Sequence, residues 1–414
     1  RDLVCAMVAA RIVSPRTKLA TSRWWHTTTL PSDFGVADAD EGDLYKAMDW
    51  LLERQDRIQQ KLAARHLTEG DRVLYDLSSS YFEGTTCPLA KRGYSRDGKK
   101  GTLQVNYGLM TDVRGCPVAI SVHEGNVSDS LTFMPEVERL RRDFGFQEMV
   151  MIGDRGMIST KTIKAIREFD GIDWITALKN GAIRSLVDNG CLQLGLFDQR
   201  NLTEFESPDY PDERLIACRN PELAKLRAHK REDLLAATEV KLEAIVARVA
   251  AGRLRGQDKI GVAVGKIVNK YKVAKHFDLV IDDISFAFTR KLDAIAAEGA
   301  LDGIYIIRTS VSADRMDDAQ CVRNYKALAN VERAFLSMKT IDLKVRPIHH
   351  RTADRVRAHL FLCMLAHYVE WHMREAWRPL MFADPDQAAK ATRDPVAPAK
   401  RSHEALVKVR SRKL

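Results

Sequence analysis

The chain has 414 residues, enough for one large core with accessory regions, and two or three domains are expected. Apolar residues make up 45% and charged residues 29%, which excludes a disordered chain, and no apolar run is long enough for a membrane-spanning helix. The net charge of +9 favours a polyanionic partner without identifying it. Seven cysteines (Cys5, Cys87, Cys116, Cys191, Cys218, Cys321, Cys363) are odd in number, scattered and free of any C-x-x-C pair. They read as reduced thiols of a cytosolic protein and not as a zinc site or a disulfide framework. The chain opens on Arg1 with no charged-then-apolar leader, which reads as a truncated start rather than a secreted protein.

Residues 1 to about 70 are predicted to be helical. Leu44, Met48, Leu51, Leu52, Ile58 and Leu62 recur at three- and four-residue steps, with Asp43 placed to cap the start. This region is expected either to pack on the main domain or to bind DNA ends. From Asp71 the pattern changes to strands: Val73 to Phe82, Leu103 to Thr111, and Pro117 to His123. The basic, glycine-punctuated loop KRGYSRDGKK, residues 91 to 100, lies between the first two. A helix capped at Ser128 or Ser130 follows, then a strand from Met149 to Gly153, a helix from Thr160 to Phe169, and a strand from Trp174 to Leu178. Three antiparallel strands followed by helix–strand alternation predict an α/β fold. The arrangement is a ribonuclease H-like mixed five-stranded sheet flanked by helices. Residues 71–178 would form its first part.

Residues 179–301 read as an inserted, β-containing subdomain. It would hold a strand pair (Thr203 to Ser207, Leu215 to Arg219), a charged helix from Pro221 to Ala251, and a lysine- and aromatic-rich stretch after Asp258 read as further β structure. The strand DGIYIIRT (Asp302 to Thr309) rejoins the sheet, and residues 302–380 complete the core with helices Cys321 to Thr340 and Thr352 to Trp377. From Lys390 there are eight Lys or Arg against two acids, a net of +6, so 381–414 reads as a basic flexible tail that contacts phosphates.

The chemistry resides in three acids. Asp76 ends an apolar run in DRVLYDLSSSYFEG, MVMIGDRGM repeats that arrangement at Asp154, and Glu332 lies in the helical run YKALANVERAFLSMK. Two acids at strand ends and one on a helix can hold two divalent ions over a phosphodiester, and hard carboxylate oxygens suit Mg²⁺. In that arrangement Asp76 bridges the ions while Asp154 and Glu332 bind one each. Tyr325, Glu332 and Lys339 are spaced by seven, which on one helix projects all three from one face. Arg155 follows Asp154 and is read as a phosphate contact. The loop cations Lys91, Arg92, Lys99 and Lys100, and KYKVAK (Lys270 to Lys275), are read as phosphate tracks that give salt-dependent affinity.

These segments, with QVNYGLMTD and AISVHEGNVSDS, resemble the DDE transposases of bacterial insertion sequences, in the IS-four-like group with a β-rich insertion before the glutamate. The resemblance spans Asp71 to His359, about seven-tenths of the chain. It implies that Asp76, Asp154 and Glu332 are the catalytic triad and metal ligands, with two Mg²⁺ ions for which Mn²⁺ can substitute. It implies strand cleavage at element ends, transfer of the freed 3′-hydroxyl into target DNA, and terminal inverted repeats and target DNA as partners. It further implies a homodimer on the DNA, no membrane association and a cytoplasmic, nucleoid-associated bacterial location. The family's third-acid signature is tyrosine, arginine, glutamate and lysine. Tyr325, Glu332 and Lys339 match it, but Leu328 stands in the arginine position, and Arg333 or Arg323 would have to substitute. The competing readings are a DNA-binding remnant that no longer cuts, or another nuclease on the same fold.

Overall fold

The computed structural model describes residues 1–197, 201–378, 380, 384, 386, 393–397 and 401–411. Its centre is an eight-stranded sheet in the order β3-β2-β1-β4-β5-β10-β7-β6. The strands are β1 (Arg72–Tyr81), β2 (Gln104–Asp112), β3 (Pro117–Glu124), β4 (Met149–Ile152), β5 (Ile172–Ala177), β6 (Leu202–Phe205), β7 (Arg214–Arg219) and β10 (Ile304–Thr309). β1, β2 and β3 are antiparallel, and β4 and β5 add in parallel beside β1, which is the predicted five-stranded mixed core. β10 then pairs antiparallel with β5 and extends the sheet through β7 and β6.

That extension corrects the expected partition. The strand pair assigned to the insertion belongs to the main sheet, because β7 lies along β10 from Arg219↔Ile304 to Arg214↔Thr309. What remains of the insertion has its own hydrophobic cluster, built from helix α9 (Pro221–Ala250), helix α10 (Gln257–Tyr271) and a hairpin of β8 (Phe277–Ile281) and β9 (Phe286–Arg290). The stretch read as β after Asp258 is therefore mostly helical. Ile260, Val264 and Val268 fall four residues apart and bury against Leu235, Leu242 and Ile245 of α9. That helical period outweighs the β propensity of the branched residues.

The N-terminal helices α1 (Asp2–Val13), α2 (Lys18–Trp25), α3 (Leu30–Asp33), α4 (Glu41–Leu52) and α5 (Gln55–His66) join the main core rather than standing apart. α1 and α4 pack on helix α14 (Ala353–Ala376), and α5 covers the edge strand β3. There the side chains of Gln59 and Gln55 take the place of a missing strand. Ile120 N donates to Gln59 Oε1 at 2.7 Å, and Gln55 Nε2 donates to the Ile120 carbonyl at 3.1 Å. An edge occupied this way is closed to pairing with another chain. The start of α4 is capped by Asp40, with Asp43 returning the bond as the N3 partner of a capping box. The single helix expected from Leu44 to Leu62 breaks after Leu52.

The other face is covered by α6 (Asp129–Arg142), α7 (Thr160–Ile166) and α8 (Asn180–Asp188), and α11 (Leu292–Gly299) leads from the insertion back to β10. The segment expected as one helix from Cys321 to Thr340 is three pieces. α12 (Asp318–Lys326) starts from an Asp317–Gln320 capping box, α13 (Leu328–Leu336) follows a break at Ala327, and a π-turn spans Ser337–Ile341. Of the expected flexible tail, residues 393–397 dock on the core. Val396 is fully buried and its carbonyl accepts from Asn220 Nδ2 at 3.2 Å and Lys326 Nζ at 3.3 Å. Much of the remaining tail lies outside the described residues.

A buried ion pair ties the π-turn to the sheet. Lys339 Nζ lies 2.8 Å from Asp97 Oδ1 and 3.0 Å from Ser78 Oγ of β1. Asp97 also takes Arg346 and, at 2.9 Å, the Tyr81 amide. Removing one partner of a buried pair strands the other's charge. Asp97→Ala is therefore expected to lower the unfolding free energy by about 3 kcal/mol. Lys339→Met should cost about 1 kcal/mol, because Arg346 still pairs with Asp97; chemical denaturation of the two variants checks the ranking.

Lys18 has no such partner. It is buried among Arg11, His350 and His359, and burial, followed by Arg11, lowers its pKa from 10.5 to about 7. Between those two values the unfolded chain holds a proton that the folded chain has released, so stability rises with pH across that window and the penalty is full below about 7. Lys18→Met should raise Tm at neutral pH by removing a penalty on the order of a few kcal/mol. The gain should shrink as pH approaches 10.5, which melting curves at several pH values would show.

Candidate active site

The register between β1 and β4 sets the first two acids side by side. Arg72 pairs with Val150 and Leu74 with Ile152, an offset of 78, and the same offset separates Asp76 from Asp154. Asp76 lies in the middle of β1, since the strand runs on to Tyr81, whereas Asp154 sits just beyond the end of β4. Along β1 the even-numbered side chains share one face. On that face Ser78 meets Lys339, and Ser80 meets Tyr107, whose ring packs edge-on to Phe335 of α13. α13 lies over this face of β1 and β2 and carries Glu332 exposed toward solvent.

The acids feel one another. Burial pushes the Asp76 carboxyl up to about 7; Asp154 and Glu332 add to the rise, while the Leu77 amide and Arg96 oppose it. Tyr325 on α12 is half-buried beside the same group, its phenol pushed up to about 12 by burial and then by Asp154. Backbone donors fix the two aspartates. Leu77 N donates to Asp76 Oδ1 at 2.8 Å, and Gly156 N and Met157 N donate to Asp154 Oδ1 at 2.9 and 2.8 Å. Burial and two like-charged neighbours leave Asp76 short of positive charge, with only Arg96 named against it. A set of hard carboxylate oxygens in that condition fits a divalent cation of the Mg²⁺ type. The trio is open: among the described residues, the group of ligating side chains with all atoms within 4.8 Å of one another is instead His66, Cys116 and His372.

The other residues singled out from sequence divide into those the structure brings to the site and those it ties elsewhere. Arg155 is exposed and donates to Asn180 Oδ1 at 3.3 Å. Lys339 does not share an open face with Glu332, because the π-turn carries it into the Asp97 pair, where burial pulls it below the usual lysine range. Arg333 folds back on its own helix to Asn330 and the Ala329 carbonyl, and Arg323 reaches the Arg393 carbonyl. Leu328 packs against the core. In the basic loop Lys91 forms a backbone bridge with Gln104, Lys99 sits 3.6 Å over the Tyr81 ring, and Arg92 and Lys100 are exposed. The loop is held by a close approach at Gly125, where a Cβ would lie 2.0 Å from the Gln104 carbonyl. Within KYKVAK, Lys275 is paired with Glu298 at 2.6 Å, whereas Lys272 is exposed.

Sequence reasoning missed two residues here. Arg96 pairs with Asp129 and stands as the counter-charge nearest Asp76, and Asp97 anchors the site's wall. Both lie in a loop read only for its basic charge. Also missed was a basic cavity of about 640 Å³ between α8, α9 and the end of α10, lined by Asn180, Arg184, Arg227, Lys230 and Lys272. Asn180 links it to Arg155 and so to the acids.

No curated protein sequence matches the chain. Among solved structures it is similar to piggyBac transposase, in a cryo-EM synaptic complex with hairpin DNA. The TM-score is 0.44 and the identity 8%, over 99% of this chain and 80% of that one. A family model described as "Transposase DDE domain" matches residues 71–369, which runs from the foot of β1 into α14 and takes in all three acids. The chain belongs to the DDE transposase family.

Proposed function

We propose that this DNA transposase cleaves one strand at each element end and joins the freed 3′-hydroxyl to target DNA, with Asp76, Asp154 and Glu332 as its catalytic acids. The observation that carries this reading is the shared offset of β1 and β4, which sets Asp76 beside Asp154 under the helix that bears Glu332. The three acids would hold two Mg²⁺ ions, or Mn²⁺ in their place, which when bound neutralise charge on the scissile phosphate and activate the attacking hydroxyl. Asp76, the carboxylate that feels both others, is the one suited to sharing its oxygens between two ions.

The chain's own residues bind and orient the DNA. Tyr325 and Arg155 lie beside the acids, on the side toward which the basic cavity opens through Asn180. Arg184, Arg227, Lys230 and Lys272 continue that positive surface, and Arg92, Lys99 and Lys100 supply a second one at the end of β1. Contacts of this kind fix the position of a phosphate backbone without reading its sequence. A homodimer that brings two terminal inverted repeats together belongs to the same reading. Among the described residues no helix is long and apolar enough to cross a membrane.

The test is a nicking assay on DNA carrying the element's ends, with Mg²⁺ present. Asp154→Ala should lose cleavage by about 10³-fold or more while still retarding the DNA in a gel. Cleavage that survives the substitution removes Asp154 from the triad, and a parent protein that binds without nicking is a remnant. Binding should also weaken steeply with salt, and Lys100→Ala combined with Lys230→Ala should lower the slope of log K against log salt by about 2. An unchanged slope would take both surfaces out of the DNA path.

A further inference from the structure

The trio His66, Cys116 and His372 comes from three remote segments: the last residue of α5, the turn between β2 and β3, and the far end of α14. Cys116 Sγ is fully buried and lies 3.9 Å from both ring nitrogens of His66 and 4.0 Å from His372 Nε2. All three ligand atoms fall within 4.8 Å of one another. A single thiol proton can serve only one of two imidazoles. A tetrahedral zinc ion with its usual bond lengths separates sulfur from nitrogen by about 3.6 Å. The cluster is therefore a few tenths of an ångström from that spacing, within reach of small ring rotations.

The surroundings match those of a ligand set. Tyr368 Oη lies 3.0 Å from His66 Nε2, which orients the ring and leaves Nδ1 for an ion. Tyr368 and Trp371 pack edge-on against the His372 ring and shield it. The turn that presents Cys116 is itself rigid, since Asp112 Oδ1 accepts from both the Arg114 and Cys116 amides at 2.9 Å. We propose that His66, Cys116 and His372 bind one divalent transition metal of the zinc class, with water completing a tetrahedron. One sulfur and two imidazoles select such a metal over Mg²⁺, so the site is chemically distinct from the three acids.

Its position gives it a role. The same turn carries Gly115, at a φ of 87°, where a Cβ would lie 2.9 Å from the Cβ of Asn330 on α13. Asn330 Nδ2 donates to the Val113 carbonyl at 2.7 Å. The ion thus joins α5, α14 and the hairpin tip on which the Glu332 helix leans, and acts as a structural brace.

Cobalt reads the site directly. Titrating the full chain with Co²⁺ should give a thiolate-to-cobalt charge-transfer band that saturates at one equivalent and is displaced by Zn²⁺. Saturating Zn²⁺ should raise Tm by about 3 °C or more. Cys116→Ser and His372→Gln should each abolish the band and weaken binding by about 100-fold. The band should persist in Asp154→Ala and in Cys363→Ser, which removes a different buried thiol. No band in the parent chain, or a band that survives Cys116→Ser, overturns the proposal. If Cys116→Ser does not fold, His372→Gln decides, because that side chain is half-exposed on a helix and its loss leaves the core intact.

Discussion

Carboxylates held in one another's field repel, and the rest of this fold is arranged around that repulsion. Burial and two acidic neighbours raise the Asp76 carboxyl by about three units, to about 7, which is a standing cost on the folded state. Nothing in the acids themselves meets it. It is met by the sheet beneath, whose β1–β4 pairing places both aspartates on backbone that cannot shift without breaking ladder hydrogen bonds. It is also met by the apolar seam of α13, where Val331, Ala334 and Phe335 bury against that sheet. Such stored electrostatic tension is what makes a group of acids receptive to a cation.

The supporting contacts form a second ring around the acids. Arg96 leans toward Asp76 from a loop otherwise marked by exposed charge, and its neighbour Asp97 gathers Lys339, Arg346 and the Tyr81 amide into one buried knot. That knot connects the loop, the sheet and the segment after α13, so the walls of the cleft are braced at points far apart in sequence. The sulfur–imidazole cluster at the hairpin tip stands at the other end of β1, near Val73, and bears on α13 through Asn330.

Much of this was legible in the order of residues. Three strands, a helix and two more strands announce the mixed sheet, because alternation and cap residues are local signals. The two aspartates could be picked out because each interrupts an apolar strand. What escaped depends on distance along the chain. Ile260, Val264 and Val268 look like strand residues until α9 is there to receive them. Nothing near Thr203 or Leu215 says that β10, some ninety residues on, will take that pair into the main sheet. An aspartate in a basic loop reads as an interruption until Lys339 and Arg346 appear opposite it. Seven-residue spacing promised that Tyr325 and Lys339 would flank Glu332 on one helix. Tyr325 does reach the acids, but the helix is interrupted on both sides of α13, and Lys339 turns inward.

The break at Ala327 and the π-turn after Leu336 isolate the glutamate on a nine-residue segment whose hydrogen-bond ladder is continuous with neither flank. Twist accumulated upstream or downstream is absorbed at these two joints instead of being passed along a rigid rod. The angular setting of Glu332 is thereby decoupled from drift in the surrounding chain. Insertions on either side can accumulate while the third acid keeps its aim.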